Sequence, residues 1–130
     1  MKHDPTRLRT AAVRLIDGTT VTVREPAWCL GRHDQGERLA DLAHGGSTTS
    51  AEVATDLGNV SILDACLTQY PYSENVDDRG VRVAVLLGSA WYQFDENGLF
   101  NLADALARHA VELRMLARQL GAIEAKGAGL

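Results

Sequence analysis

The stretch VRVAVLLGSAWYQFDENGLFNLADALARHAVELRMLARQL, residues 81–120, decides the fold class. Its first part alternates. Val81, Val83, Val85 and Leu87 recur at every second position, which places them on one face of an extended strand. Gly88-Ser89 then suits a two-residue type II′ turn, because glycine accepts a positive φ at the first turn position. That turn sets Val85 opposite Tyr92 and Val83 opposite Phe94, so loop length and apolar pattern agree on one hairpin. From Asp95 the period changes. Asp95 is a good N-cap and Glu96 adds negative charge to the first turn. Leu99, Leu102, Leu106, His109, Leu113, Leu116, Leu120 and Ile123 then step by three and four without a break, as along the seam of an amphipathic helix. This helix is expected to run to about Leu120 and to stop at Gly121.

Upstream, a second hairpin surrounds Asp17-Gly18, and its register can be argued. A two-residue Asp-Gly loop pairs Val13 with Thr22 and mixes polar with apolar on both faces. A three-residue loop, Ile16-Asp17-Gly18, pairs Val13 with Val21 and Ala11 with Val23, giving one apolar face with Gly18 at the left-handed position. The longer loop is preferred. Residues 25–50 hold Pro26, four glycines and the run Ser47–Ser50, so they read as loop with one helical turn near Arg38–Ala43. Two weaker strands are expected at Glu52–Leu57 and Ile62–Tyr70, joined by a turn at Gly58-Asn59. The reading is an α+β fold: an antiparallel sheet of about five to six strands with one long C-terminal amphipathic helix. It divides the chain into a flexible tail at 1–9, a single domain at 10–123 and a flexible tail at 124–130.

Composition narrows the function classes. A chain of 130 residues, 45% hydrophobic, has enough apolar surface for one core without disulfide staples. A net charge of -4 and a pI near 5.5 argue against a nucleic-acid binder, which needs a basic stripe to displace counterions. The start, Met1-Lys2-His3-Asp4-Pro5, lacks the apolar region of a secretory signal, and no apolar run approaches membrane-spanning length. A cytoplasmic protein is expected. In that reducing compartment Cys29 and Cys66 are expected to stay unpaired, each a free thiol or a metal ligand.

The long weakly structured stretch at 25–50 calls for something to pin it. It holds Cys29, His33 and His44, three of the four ligands of a structural zinc site. Cys29 and His33 lie four apart with Gly31 between, so both can turn to one point. The fourth ligand stays open among Glu25, Asp34, Asp41, Cys66 and water. The competing reading is a buried cysteine, a Trp28 core plug and ordinary histidines. The segment Glu25-Pro26-Ala27-Trp28-Cys29, followed by His33 and His44, resembles a small actinobacterial family of uncharacterised domains whose loop reads Cys-Pro-x-Trp-Cys, then His, then His. Gln69-Tyr70-Pro71-Tyr72, a strand pair and a Leu/Ala-rich helix extend the resemblance over roughly residues 10–120. If the family's Cys, Cys, His, His set holds zinc, the resemblance implies Glu25, Cys29, His33 and His44 as the ligands here. Glu25 then takes the place of the first cysteine and weakens the site. The resemblance implies no activity.

The helix suggests a second feature. About 25 residues give a rod of roughly 37 Å, longer than the roughly 27 Å of an eight-residue strand. Leu106, His109, Leu113, Leu116 and Leu120 are therefore expected to meet a second copy of the chain or another protein. The preferred function is a non-catalytic accessory or interaction module with zinc fastening its loop. The alternative is a metal-free regulatory partner acting through helix association. An enzyme with Cys29 as nucleophile comes third, because no phosphate loop, nucleophile elbow or paired metal-histidine helix accompanies it.

Overall fold

The structure is a computed structural model that describes residues 9–127. Of the expected tails, residues 1–8 and 128–130 lie outside the described residues, while Arg9 opens the first strand and Glu124 and Ala125 belong to the helix. The elements are β1 (Arg9–Arg14), β2 (Thr20–Glu25), a 3-10 turn (Leu39–Asp41), β3 (His44–Gly45), β4 (Thr49–Thr55), β5 (Gly58–Gln69), a second 3-10 turn (Val76–Arg79), β6 (Arg82–Leu87), β7 (Ala90–Phe94) and α1 (Glu96–Ala125). The class is α+β, as expected. The strands form two antiparallel sheets rather than one: β1–β2, and a five-stranded sheet in which β5 carries β3 and β4 along one edge and β6, then β7, along the other.

The first hairpin has the register argued from its apolar face, with Ala11 opposite Val23 and Val13 opposite Val21. Leu15 donates its N–H to the carbonyl of Thr19, closing the three-residue loop, and Gly18 sits at φ +85°. That conformation costs glycine little. Val13 and Val23 pack with Leu42, which comes from the segment between β2 and β3; all three are buried. Glu37 runs beside the end of the hairpin, accepting a hydrogen bond from the Ile16 N–H at its carbonyl.

In the larger sheet the β6–β7 hairpin follows its pattern, with Val83 opposite Phe94, Val85 opposite Tyr92 and a Gly88-Ser89 turn. The β4–β5 hairpin departs from expectation. Its turn is Asp56-Leu57, because Thr55 pairs with Gly58. The hydroxyl of Thr55 stabilises that turn, donating to the Gly58 carbonyl and accepting from the Leu57 N–H. A register shift between Thr49 and Ala51 leaves one extra residue on β5, and Leu63 takes φ +57° there. The bulge interrupts simple alternation along the strand expected at Ile62–Tyr70. From Gly58 to Ile62, β5 pairs with β4 alone; from Ala65 to Thr68 it pairs with β6, and Thr68 and Gln69 pair with β3.

The helix starts directly after Asp95, but it runs through Gly121 to Ala125. A mid-helix glycine costs about 1 kcal/mol, and Ala122, Ile123, Glu124 and Ala125 continue the helix past it. It ends ahead of Gly127, which takes the left-handed φ of +63° suited to a C-terminal cap. Among the described residues no helix is long and apolar enough to cross a membrane.

Leu42 closes the hairpin core from outside the hairpin. Truncating it, Leu42→Ala, is expected to lower stability by about 2–5 kcal/mol. Urea titration checks this, and a loss under about 1 kcal/mol would show that Leu42 is not a core residue.

Candidate metal centre

Strand alternation delivers the first donor. Val21, Val23 and Glu25 share one face of β2, so Glu25 stands where the pattern of inward valines would place a further apolar side chain. Pro26 then leads a tight turn in which the Cys29 N–H donates to the Pro26 carbonyl at 3.0 Å. This brings Cys29 back under the end of the strand. The guanidinium of Arg9 donates to the Cys29 carbonyl at 2.6 Å, and the Leu30 N–H donates to the Gly45 carbonyl at 2.9 Å. Gly31, at φ +72°, turns its N–H onto the Cys29 sulfur at 3.3 Å. His44 arrives from β3, where it pairs with Gln69.

One donor atom from each of Glu25, Cys29, His33 and His44 lies within 4.8 Å of the others. The side chains of Glu25 and His44 are 3% exposed and that of His33 is 4% exposed. Cys29 is 3% exposed. His33 bonds Glu25 through Nε2, and its ring stands edge-on to His44 at a centroid distance of 5.4 Å. Trp28 meets the opposite side of that pair, edge-on to His44 at 6.4 Å. Glu25 Oε2, His33 Nδ1 and His44 Nδ1 are buried without a hydrogen-bond partner. His44 Nδ1 lies 3.8 Å from Glu25 Oε2, too long for a hydrogen bond. Three orphaned polar atoms in one buried cluster call for a further partner.

The other acids considered for the fourth position are elsewhere. Asp41 pairs with Arg38 at 3.0 Å, and Asp34 is exposed. Cys66 is a free, half-buried thiol beside Thr68, Trp91 and Gln93. A shallow cleft lined by Arg32, Asp34, Glu37 and Thr68 borders the two imidazoles. The contact of Arg9 with the Cys29 carbonyl carries no sequence signature, since it depends on the fold bringing distant residues together, whereas that of Gly31 is local to the turn.

The chain belongs to the DUF6907 family. Its match to that family model, described as Domain of unknown function (DUF6907), runs over residues 4–122 and so spans the whole cluster. No curated protein and no solved structure matches the chain.

Electrostatics in this DUF6907 domain depend on burial. Burial pushes the Cys29 thiol up, and its hydrogen bond to Glu25 adds to this, against the opposing N–H groups of Gly31 and Gly45. Burial pushes the His44 imidazole below its ordinary value; the Glu25 charge opposes that shift and His33 reinforces it. Burial alone would raise the Glu25 carboxyl, but hydrogen bonds from Cys29 and His33, with the charges of both imidazoles, bring it below its ordinary value.

These directions fix the pH dependence of the metal-free protein. His44 binds its proton less readily folded than unfolded, so stability falls as pH drops below about 6.5, the unfolded value. The depressed Glu25 removes more as pH falls through its folded value. The raised Cys29 keeps its proton when folded, so stability also falls as pH climbs past about 8.5. Melting temperature in chelator is expected to peak between these limits. A flat profile from pH 5 to 9 would contradict the burial of the cluster.

Proposed function

We propose that this domain is a non-catalytic, cytoplasmic accessory or interaction module whose segment between β2 and β3 is fastened by one zinc ion on Glu25, Cys29, His33 and His44. The observation that carries the reading is the convergence of four buried donors, three of them with orphaned atoms. One thiolate, two imidazoles and a carboxylate suit a borderline-soft ion of tetrahedral preference. Four protein donors fill a tetrahedron, whereas a catalytic zinc keeps a position for water or substrate. Backbone N–H donation to the sulfur also supports a thiolate ligand. The same residues speak against Cys29 as a nucleophile. Reactive cysteines are partly exposed and have depressed pKa values, while this thiol is buried and pushed up. The loop reading Cys-Pro-x-Trp-Cys, with Glu25 in the first cysteine's place, belongs to the same proposal.

Protein purified without a histidine tag is expected to carry about one zinc per chain and to melt at lower temperature in chelator. Losing a group that hydrogen-bonds a metal ligand typically weakens a site by about 10–100-fold, so Cys29→Ser, which removes a ligand itself, should weaken zinc binding by at least that much. Cys66→Ser should leave it unchanged. Absence of zinc in elemental analysis, with no shift in melting temperature on adding it back, would remove the reading.

A second reading concerns α1, taken by itself. Leu106, Leu113, Leu116, Leu120 and Ile123 are exposed along one seam of the helix, with His109 among them. His109 Nδ1 lies 3.3 Å from Glu112. An unbroken three-four repeat is the pattern that packs against another helix, and a second copy of this chain supplies the matching seam. Sedimentation equilibrium at micromolar concentration is expected to give a dimer, and Leu113→Glu with Leu116→Glu a monomer. A monomeric parent chain would discard the homodimer.

A further inference from the structure

We propose that the zinc held by Glu25, Cys29, His33 and His44 is a releasable clasp between the two sheets, so that zinc occupancy decides whether the β1–β2 hairpin stays docked. The inference rests on the zinc reading above and adds a regulatory consequence to it. Its first ground is where the donors come from. Glu25 is the last residue of β2 in the small sheet, and His44 is the first residue of β3 in the large one. Cys29 and His33 come from the segment between them. One ion therefore joins both sheets and the chain that connects them.

The second ground is how little else joins them. The strands belong to separate sheets, and among the described residues no backbone hydrogen bond links a strand of one to a strand of the other. The links that exist pass through the connecting segment. Leu42 packs on Val13 and Val23, Arg9 holds the Cys29 carbonyl, the Glu37 carbonyl holds the Ile16 N–H, the Gly36 N–H and the Gln35 side chain hold the Arg14 backbone, and the Leu30 N–H holds the Gly45 carbonyl. A two-stranded hairpin is at best marginally stable alone, and among the described residues this one is fastened by three buried aliphatic side chains, Val13, Val23 and Leu42, with Ala11 and Val21 partly buried beside them. The larger sheet has its own hydrogen-bond ladders from β3 to β7 and its own buried residues, Val85 and Thr68 among them.

The third ground is the state left behind when zinc departs. Glu25 Oε2, His33 Nδ1 and His44 Nδ1 then remain buried without partners, and the simplest relief is for water to reach them as the segment opens. Segments with few buried contacts open at lower free energy than the whole domain. A donor set with one thiolate and one carboxylate also holds zinc less firmly than four thiolates would, which suits release.

Hydrogen exchange read by peptide on the full chain, zinc-loaded and after chelation, tests this. Zinc content is measured on the same samples. Chelation is expected to speed amide exchange at least tenfold in residues 9–46. Residues 58–69 and 82–94 should keep their protection, and adding zinc back should restore the first region. In Glu25→Gln, protection of 9–46 should track zinc occupancy at a higher zinc concentration than in the parent chain. If the protein holds one zinc per chain but chelation changes exchange nowhere, or equally in every strand, the clasp is wrong and the zinc site stands. If protection is not recovered on adding zinc, the release is not reversible and the proposal falls. If no zinc binds, the underlying reading fails together with the clasp.

Discussion

The segment between the first hairpin and the large sheet is organised around a buried carboxylate. Glu25 ends a strand whose inward neighbours are Val21 and Val23, so its side chain enters the protein instead of solvent. A carboxylate taken out of water without partners is costly enough to be protonated or to disrupt the fold. Here it remains an acid with a depressed pKa because the Cys29 and His33 hydrogen bonds and two imidazoles surround it. That requirement shapes the following residues. The Pro26 turn returns Cys29 to the strand end, Gly31 closes an N–H onto its sulfur, and Trp28 stacks edge-on against His44. Leu42, two residues before His44, then completes the apolar side of the same junction.

Where local chemistry settles a structure, the sequence was readable. The register of β1–β2 followed from one test, which of two loop lengths gives an unmixed apolar face, and the Gly88-Ser89 hairpin passed the same test. The β4–β5 hairpin failed it for a physical reason. Gly58-Asn59 has the better turn composition, yet the chain turns at Asp56-Leu57 with a threonine hydroxyl bridging the ends, and leaves Leu57 93% exposed. Turn propensity is a weak force beside the ladder formed by the strands that follow. The bulge at Leu63 is invisible in sequence for a related reason: a leucine at positive φ is locally unfavourable, and only pairing on both sides of it selects that conformation. The helix ran past Gly121 because one glycine cannot outweigh four favourable residues after it. Division of the strands into two sheets depends on long-range pairing that no local pattern carries.

The site was legible by residue type more than by spacing. Cys29 and His33 offer one close ligand pair, and only the fold shows that His44 joins them from a strand. Glu25 had a signal of its own, an acid at an inward position of an alternating strand, which marks a side chain with something to bind. The supporting contact of Arg9 had none. The helix seam was equally plain in sequence, since a repeat of three and four is a property of the chain alone.

Charge explains why this donor set works in a buried position. Glu25 and a deprotonated Cys29 contribute two negative charges and two neutral imidazoles contribute none, so a divalent cation makes the cluster neutral. Four thiolates around the same ion would leave an excess of two negative charges, which needs nearby cations or solvent to offset it. Without an ion, the thiol keeps its proton, since burial raises its pKa, and Glu25 is held by its hydrogen bonds to Cys29 and His33. A metal bound by these residues would compete with protons for one set of atoms. This ties metal affinity to pH, since binding must displace the protons the burial has retained. It also explains why the cluster tolerates burial with no lysine or arginine side chain among the described residues paired to its four donors.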